Sequence, residues 1–567
     1  MNLFRKKAWR NLSKIGLAVL LAGQFSFSTA ADVVVTNGVP NGAQSVAVTD
    51  LATTVVQQTA QIVRINTGLL RGTIENGIES YKGIPYAQPP VGELRWRPPQ
   101  PPKAWEGVYD ATEYKSQFAQ NSDLGVFATA GGSEDALYLN VFIDEAARLK
   151  AEANNEKLPV FVWIHGGGLK VGASQDYNPT ALAKEGAIVV TINYRLGIFG
   201  LFAHPAIDAE GHAIGNYGLM DQDMALTWVQ ENISQFGGDP QNVTLAGESS
   251  GGESVLTAMV NPHSAGKFQQ VISMSGNTST MTAAFTQNSI AEAEAKGIAF
   301  AEANGLKDAT AEQLRSLSTE QILRTQKPYM LMTFMVDGEY IPERSMEAFK
   351  NGRFNKATLI NGITKNEGNF FAGLPETLTG KPMDREGYMA NLDWLVGLLG
   401  DRPGLKEAIM AEYPPEQYDS YAEAFAPLIT DAWLSSSMQR INDVLYNQIP
   451  VYAYVFADET APSYLVTSFP QKASHTYELP YIFPGFNGSS IQSTALNPEQ
   501  QKLANQMVQI WARAGEINKQ SEWPTYDPKK QNYMTFTLPN SYMSENEFNE
   551  AHHTAFWNKI NSEYQPK

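Results

Sequence analysis

The 567-residue chain contains no cysteine. That excludes disulfide bridges, a thiol nucleophile and a lipid-modified N-terminal cysteine. Charge is also sparse. Asp, Glu, Lys and Arg make up 18% of the residues, and the balance is acidic, with a formal net charge of −17. No basic cluster occurs after residue 14, so DNA or RNA would be repelled and nucleic acid is not expected as a partner. The chain also lacks G-x-G-x-x-G, a phosphate-binding loop ending in Lys-Ser/Thr, and the H-E-x-x-H or Cys/His sets that hold zinc. No cofactor and no metal are expected. No 20–50-residue repeat is visible, which argues against a solenoid or propeller.

What the chain does have is core material: 43% of its residues are hydrophobic and 11% aromatic. It also has one cationic cluster, at the start. Arg5, Lys6, Lys7, Arg10 and Lys14 precede an apolar run over residues 15–22, and Ser28 and Ala30 are spaced as a cleavage site before Ala31. Residues 1–30 therefore read as a secretory signal peptide. The run is too short to span a bilayer and is followed by Gln24 and Ser26, so no stable membrane anchor is expected. Losing those five cations takes the net charge from −17 to −22. Export without disulfides fits a bacterial periplasmic or extracellular protein. Residues 31–61 lack aromatics and carry only Asp32 and Asp50 as charges, the texture of a linker or N-terminal arm. From Ile62 to residue 567 the composition is that of one large domain.

Within that domain, apolar runs at residues 160–164, 187–192 and 243–246 alternate with helical patterns at 179–185 and 224–236. Continuous β-branched runs separated by helices indicate an α/β fold, with a mostly parallel central sheet buried on both faces. In such sheets, sites form at loops beyond the carboxyl ends of the strands.

Two glycine motifs sit at such ends. Gly247-Glu248-Ser249-Ser250-Gly251 follows the run at 243–246 and precedes a helical stretch at 253–260. This is G-x-S-x-G in strand–turn–helix context. A sharp turn lifts the serine above the sheet, and a Cβ at either flanking position would strike neighbouring backbone. His165-Gly166-Gly167-Gly168 follows the run at 160–164. Acyl transfer leaves negative charge on the carbonyl oxygen, and glycines let backbone N–H groups approach it. The expected donors are the N–H groups of Gly167, Gly168 and Ser250.

A serine nucleophile needs a base and an acid. In the α/β-hydrolase arrangement they follow in the order Ser, acid, His. Downstream histidines are His475, His552 and His553. His475 lies in a loop after the strand-like run at 451–456. His552 and His553 fall in a polar helical stretch at 545–561, where a solvated face is the plainer reading. His263 reads as the end of the helix after Ser249. Glu367, after an apolar run at 357–360, competes with Asp337 and Asp431 for the acid.

The motifs together resemble the type-B carboxylesterase family, which includes cholinesterases and bacterial p-nitrobenzyl-type esterases. The resemblance covers nearly the whole chain from Ile62. It rests on GIPYAQPPVG at 83–92, LRW at 94–96, SEDALYLNV at 133–141, NYRLG at 193–197, Asp221-Gln222, and the run from Asn232 to FGGDP at 236–240. It implies an α/β-hydrolase fold whose large loop and helix insertions form a gorge. It also implies a serine-dependent hydrolase of small-molecule carboxylic esters. Carried over by motif, Ser249 is the nucleophile, Glu367 the acid (within G-x-x-x-x-E-G) and His475 the base (within H-x-x-E-L-x-Y-x-F). Gly167, Gly168 and Ser250 fall on the oxyanion donors. Arg95 with Glu134, and Arg195 with Asp221, match structural ion pairs.

The chain departs from the family at three places. Ala136 and a position near Phe118 stand where the family has a disulfide, leaving the loop between them free of that bridge. Ser250 replaces a common Ala. Glu253 adds a charge whose role the sequence does not reveal. An amidase or carbamate hydrolase, or a lipase, would use the same triad. A lipase would need an apolar mouth, which residues 329–335 could line; a buried core strand is their plainer reading. A non-catalytic binding protein on this scaffold would usually have lost a triad residue, and here all three positions are filled. Oligomeric state is not legible.

Overall fold

The computed structural model describes residues 58–563, apart from 123, 126–128, 279–286, 327–332, 401, 489 and 491. The stretch read as a signal peptide, most of the stretch read as an arm and part of the 329–335 segment lie outside the described residues. The sheet begins at Gln58, inside the stretch read as an arm: Gln58–Thr59 pairs antiparallel with Thr73–Glu75.

Among the described residues, twelve strands form the central sheet. They are β1 (Gln58–Thr59), β2 (Thr73–Glu75), β3 (Ile78–Pro85), β4 (Tyr138–Asp144), β5 (Leu158–Ile164), β6 (Ile188–Ile192), β7 (Gly238–Glu248), β8 (Gln270–Met274), β9 (Thr358–Thr364), β10 (Val451–Phe456), β11 (Asn532–Phe536) and β12 (Tyr542–Glu545). Their spatial order is β1-β2-β3-β4-β6-β5-β7-β8-β9-β10-β11-β12. Pairing is parallel throughout from β6 to β11. It is antiparallel at both edges.

The inner strands are apolar on both sides because each side meets a separate core. In β5, Val160, Val162 and Ile164 join one cluster, while Phe161 and Trp163 join the other. In β7, Val243 and Leu245 go one way and Ala246 the other. This is the two-residue period of a strand, seen in a sheet covered on both faces.

The helices used below are α1 (Tyr217–Asn232), α2 (Ser250–Val260), α3 (Gly368–Thr379), α4 (Tyr421–Ile429), α5 (Ser436–Leu445), α6 (Glu547–Ala551) and α7 (Thr554–Glu563). Several differ from the sequence expectation for identifiable reasons. The helix expected over 224–236 is α1, which starts seven residues earlier and gives way to a 3₁₀ turn, Ile233–Phe236. Its first turn is buried on every side, so no amphipathic stripe announces it. Helix α2 starts at Ser250, its first turn hidden by Gly251 and Gly252, which are weak helix formers. The stretch at 545–561 is two helices, broken where His553 has φ 46°.

The two ion pairs named from motifs are formed and buried. Arg95 holds Glu134 through Nε and Nη2 at 2.7 and 2.5 Å, and donates to the carbonyls of Arg315 and Leu317. Arg195 grips Asp221 at 2.8 and 2.7 Å. Phe118 and Ala136, at the missing disulfide, are 1% and 0% exposed. The neck of that loop is closed by backbone hydrogen bonds instead. Ala119 donates to Ser133, Ser133 to Gln117, and Gln120 and Gly131 exchange a pair.

Candidate active site

Register sets the site. Gly247 of β7 pairs with Ile164 of β5 and Ser273 of β8, so three neighbouring strands end at one level. The glycine loop leaves β5 there, and the serine turn leaves β7 beside it.

Ser249 sits at φ 58°, ψ −123°, between β7 and α2. A serine at positive φ is strained, and the surroundings must hold it. Its N–H donates to the Met274 carbonyl at 2.8 Å, and its carbonyl accepts from Glu253 N–H at 2.9 Å. The flanking glycines are sterically required. A Cβ on Gly251 would lie 2.1 Å from the Ile164 carbonyl oxygen, and one on Gly247 would lie 2.5 Å from the Gly251 backbone.

Gly167 and Gly168 have φ of 109° and 64°. A Cβ on Gly167 would meet the Val171 carbonyl oxygen at 2.2 Å. The serine that departs from the family's alanine makes a bond that alanine could not. Ser250 Oγ accepts from Leu169 N–H at 3.1 Å and ties the glycine loop to the serine turn. His165 stacks on Tyr194 with centroids 4.5 Å apart, and burial lowers its pKa to about 4. It is a neutral packing residue.

His475 meets Ser249. Its Nε2 is 3.0 Å from Ser249 Oγ, and its Nδ1 is 2.5 Å from Glu367 Oε2. Glu367 is fully buried, and its other oxygen accepts from Ser275 Oγ at 2.5 Å and Thr364 N–H at 2.9 Å. The competing acids are occupied elsewhere. Asp337 accepts from Asn216 and from two backbone N–H groups of its own loop. Asp431 pairs with His552 at 2.7 Å. This overturns the solvated reading of His552, which is 5% exposed. His553, half-buried, pairs with Glu412. His263, read as the end of the helix after Ser249, lies just beyond it: α2 stops at Val260 and His263 sits in a separate 3₁₀ turn, Pro262–Ser264.

Two further carboxyls have no role assigned from the sequence. Glu248, the residue before Ser249, has Oε1 3.3 Å from His475 Nε2. Glu478, three residues after His475, is fully buried with both oxygens lacking a hydrogen-bond partner. Burial, with the Glu478 and Glu367 carboxyls next, pushes Glu248 well above the usual carboxyl range. Burial, then Glu367, does the same to Glu478. Both letters stand within the motifs, but only burial gives them meaning.

Glu478 yields a stability prediction. The native protein keeps a proton that the unfolded chain releases near pH 4.5. Stability should therefore fall as pH rises above that value, by up to about 1.4 kcal/mol per pH unit, until the native pKa is passed. Glu478→Gln removes this titration. Its melting temperature should gain on the parent's by more at pH 8.5 than at pH 5. Parallel profiles would show that Glu478 is not a retained acid.

The site opens into a cavity of about 190 Å³. Ser249, His475 and the glycine loop line it together with the apolar side chains of Phe370, Phe371, Trp394, Ile429, Trp433 and Leu434. Glu253 also lines it. Of the 329–335 segment, Thr333 lines this cavity, while Met335 is buried on a two-residue strand, Met335–Val336. Among the described residues, no helix is long and apolar enough to cross a membrane.

A serine on a strand–turn–helix, a glycine loop beside it and a buried His–Glu pair, on this mostly parallel sheet, define a serine hydrolase of the α/β-hydrolase fold. The chain belongs to the carboxylesterase family, whose model matches residues 59–557. It is 34% identical over 485 residues to para-nitrobenzyl esterase of Bacillus subtilis (strain 168), covering 82% of this chain and 93% of the relative. It is 32% identical over 535 residues to human cocaine esterase, covering 89% and 92%. Among solved structures, a PNB esterase superimposes with a TM-score of 0.72 at 29% identity, covering 87% of this chain and 99% of the other. A Geobacillus stearothermophilus carboxylesterase gives 0.72 at 30%, covering 88% and 99%. The protein hydrolyses carboxylic esters by a serine mechanism.

Proposed function

We propose that Ser249 is the nucleophile, His475 the base and Glu367 the acid of this esterase. The N–H groups of Gly167, Gly168 and Ser250 receive the oxyanion. The observation that carries the reading is the continuous chain of contacts from Ser249 Oγ to His475 Nε2 at 3.0 Å and from His475 Nδ1 to Glu367 at 2.5 Å. His475 takes the Ser249 proton as Oγ bonds to the ester carbonyl carbon. The tetrahedral intermediate collapses, and the alcohol leaves with the proton from His475. Water, deprotonated by His475, then attacks the acyl-enzyme and releases the acid and Ser249. The aromatic and aliphatic wall favours esters with a substantial apolar group.

A fluorophosphonate probe should modify the folded protein once, on the peptide containing Ser249. Modification elsewhere, or none, would overturn the assignment. Residues 1–30 support a further proposal, export with cleavage before Ala31. Protein recovered from a secreting host should begin at Ala31, and retention of Met1 in that fraction would count against it.

A further inference from the structure

The long helical segment over residues 421–445 is not a plain α-helix. Between α4 and α5 lies a π turn, Thr430–Ser435, closed by a hydrogen bond from Ser436 N–H to the Asp431 carbonyl. The cavity is lined from this segment by Ile429, Trp433 and Leu434. In an α-helix each residue advances about 100°, so the position five residues after Ile429 would sit roughly 140° around the axis. A π turn closes between i and i+5 and winds wider, so positions four and five residues on both return towards the face of residue i. The turn is therefore what brings Trp433 and Leu434 onto the cavity face together.

A π turn is an uncommon state that needs support from its surroundings. Both of its first residues are anchored to other elements. Thr430 Oγ1 accepts from Gly368 N–H at 2.9 Å, directly after Glu367. On the far side Asp431, 1% exposed, accepts from His552 Nδ1 at 2.7 Å and Tyr413 OH at 2.6 Å. Tyr413 in turn accepts from Trp557 Nε1 of α7 at 2.7 Å. His552, between α6 and α7, thus reaches the cavity wall without touching the cavity. On the inner side Trp433 packs on Phe371, 5.3 Å between centroids, and Phe371 packs on His475 at 5.0 Å.

We propose that His552 and Tyr413, acting through Asp431, are positioning residues that hold the π turn open and thereby set the enzyme's selectivity for the apolar group of its ester. The inference rests on reading this cavity as the seat of that group. If the clamp is released, the turn relaxes towards α-helix and Leu434 leaves the wall. Long acyl chains then lose a contact that short ones never make.

The test compares p-nitrophenyl acetate with p-nitrophenyl octanoate in the full-length enzyme. The variants are His552→Ala, Tyr413→Phe, which removes only a hydroxyl, and His552→Gln, which keeps a donor. His552→Ala and Tyr413→Phe should lower kcat/KM for octanoate about tenfold through KM, with acetate held within about threefold. His552→Gln should recover most of the loss. Adding His552→Ala to Leu434→Ala should cost nothing further on octanoate, because the two share one cause. Equal losses on both esters, an unchanged octanoate/acetate ratio, or additive effects would overturn the proposal. If His552→Ala does not fold, Tyr413→Phe decides alone. Failure of the parent to label at Ser249 would instead count against the site assignment.

Discussion

Ser249→Ala is expected to lower kcat by about 10⁶-fold while leaving the fold intact. The loss is large because Ser249 Oγ is the hydroxyl paired with His475 Nε2, at 3.0 Å. Next along the backbone, Ser250 has its hydroxyl engaged by Leu169 N–H. The fold should survive because alanine keeps the Cβ that serine already carries at φ 58°, so the strain of the turn is unchanged. Turnover of a p-nitrophenyl ester and a thermal melt check both halves. Activity within about 100-fold of the parent would mean that another group is the nucleophile.

Glu367→Gln is expected to cost about 10⁴-fold in kcat, although it changes one atom. Thr364 N–H and Ser275 Oγ point at Oε1, and His475 Nδ1 lies at Oε2. A glutamine side chain has one acceptor end and one donor end. With its NH₂ towards His475, the imidazole must turn its bare nitrogen to that amide and carry its proton on Nε2, where it cannot accept from Ser249. With the amide flipped, its NH₂ opposes the Thr364 N–H, leaving two buried donors face to face. Steady-state kinetics on the purified variant measure this. A loss below about tenfold would show that His475 does not depend on Glu367 for its tautomer.

The order of these groups along the chain is readable from the letters, since the serine turn, the glycine loop and the family motifs are local strings. Strand β10 is legible to the residue, because an apolar run of β-branched and aromatic residues bounded by Pro450 can be little else. The start of helix α1 is not legible, because that turn is buried on all sides. The burial of His552 is hidden too: the polar residues around it suggest a solvated face, while its partner, Asp431, is 121 residues away. No periodicity encodes such a pairing.

The runs that become β5, β6, β7, β9 and β10, the serine turn and the reaction class are legible in the chain itself, since each depends on residues close together and on the steric demands of glycine, whereas β8, between β7 and β9, is not among the runs read. Residue chemistry and spacing left Glu367, Asp337 and Asp431 in competition and only the family motif singled out Glu367, while the folded chain alone shows that Glu248 and Glu478 are buried carboxyls near Glu367 and which side chains line the cavity. Those are outcomes of burial and of contacts between distant segments. A carboxyl's proton affinity and a cavity's shape are set by what surrounds them in space, and no neighbour in the chain carries that information.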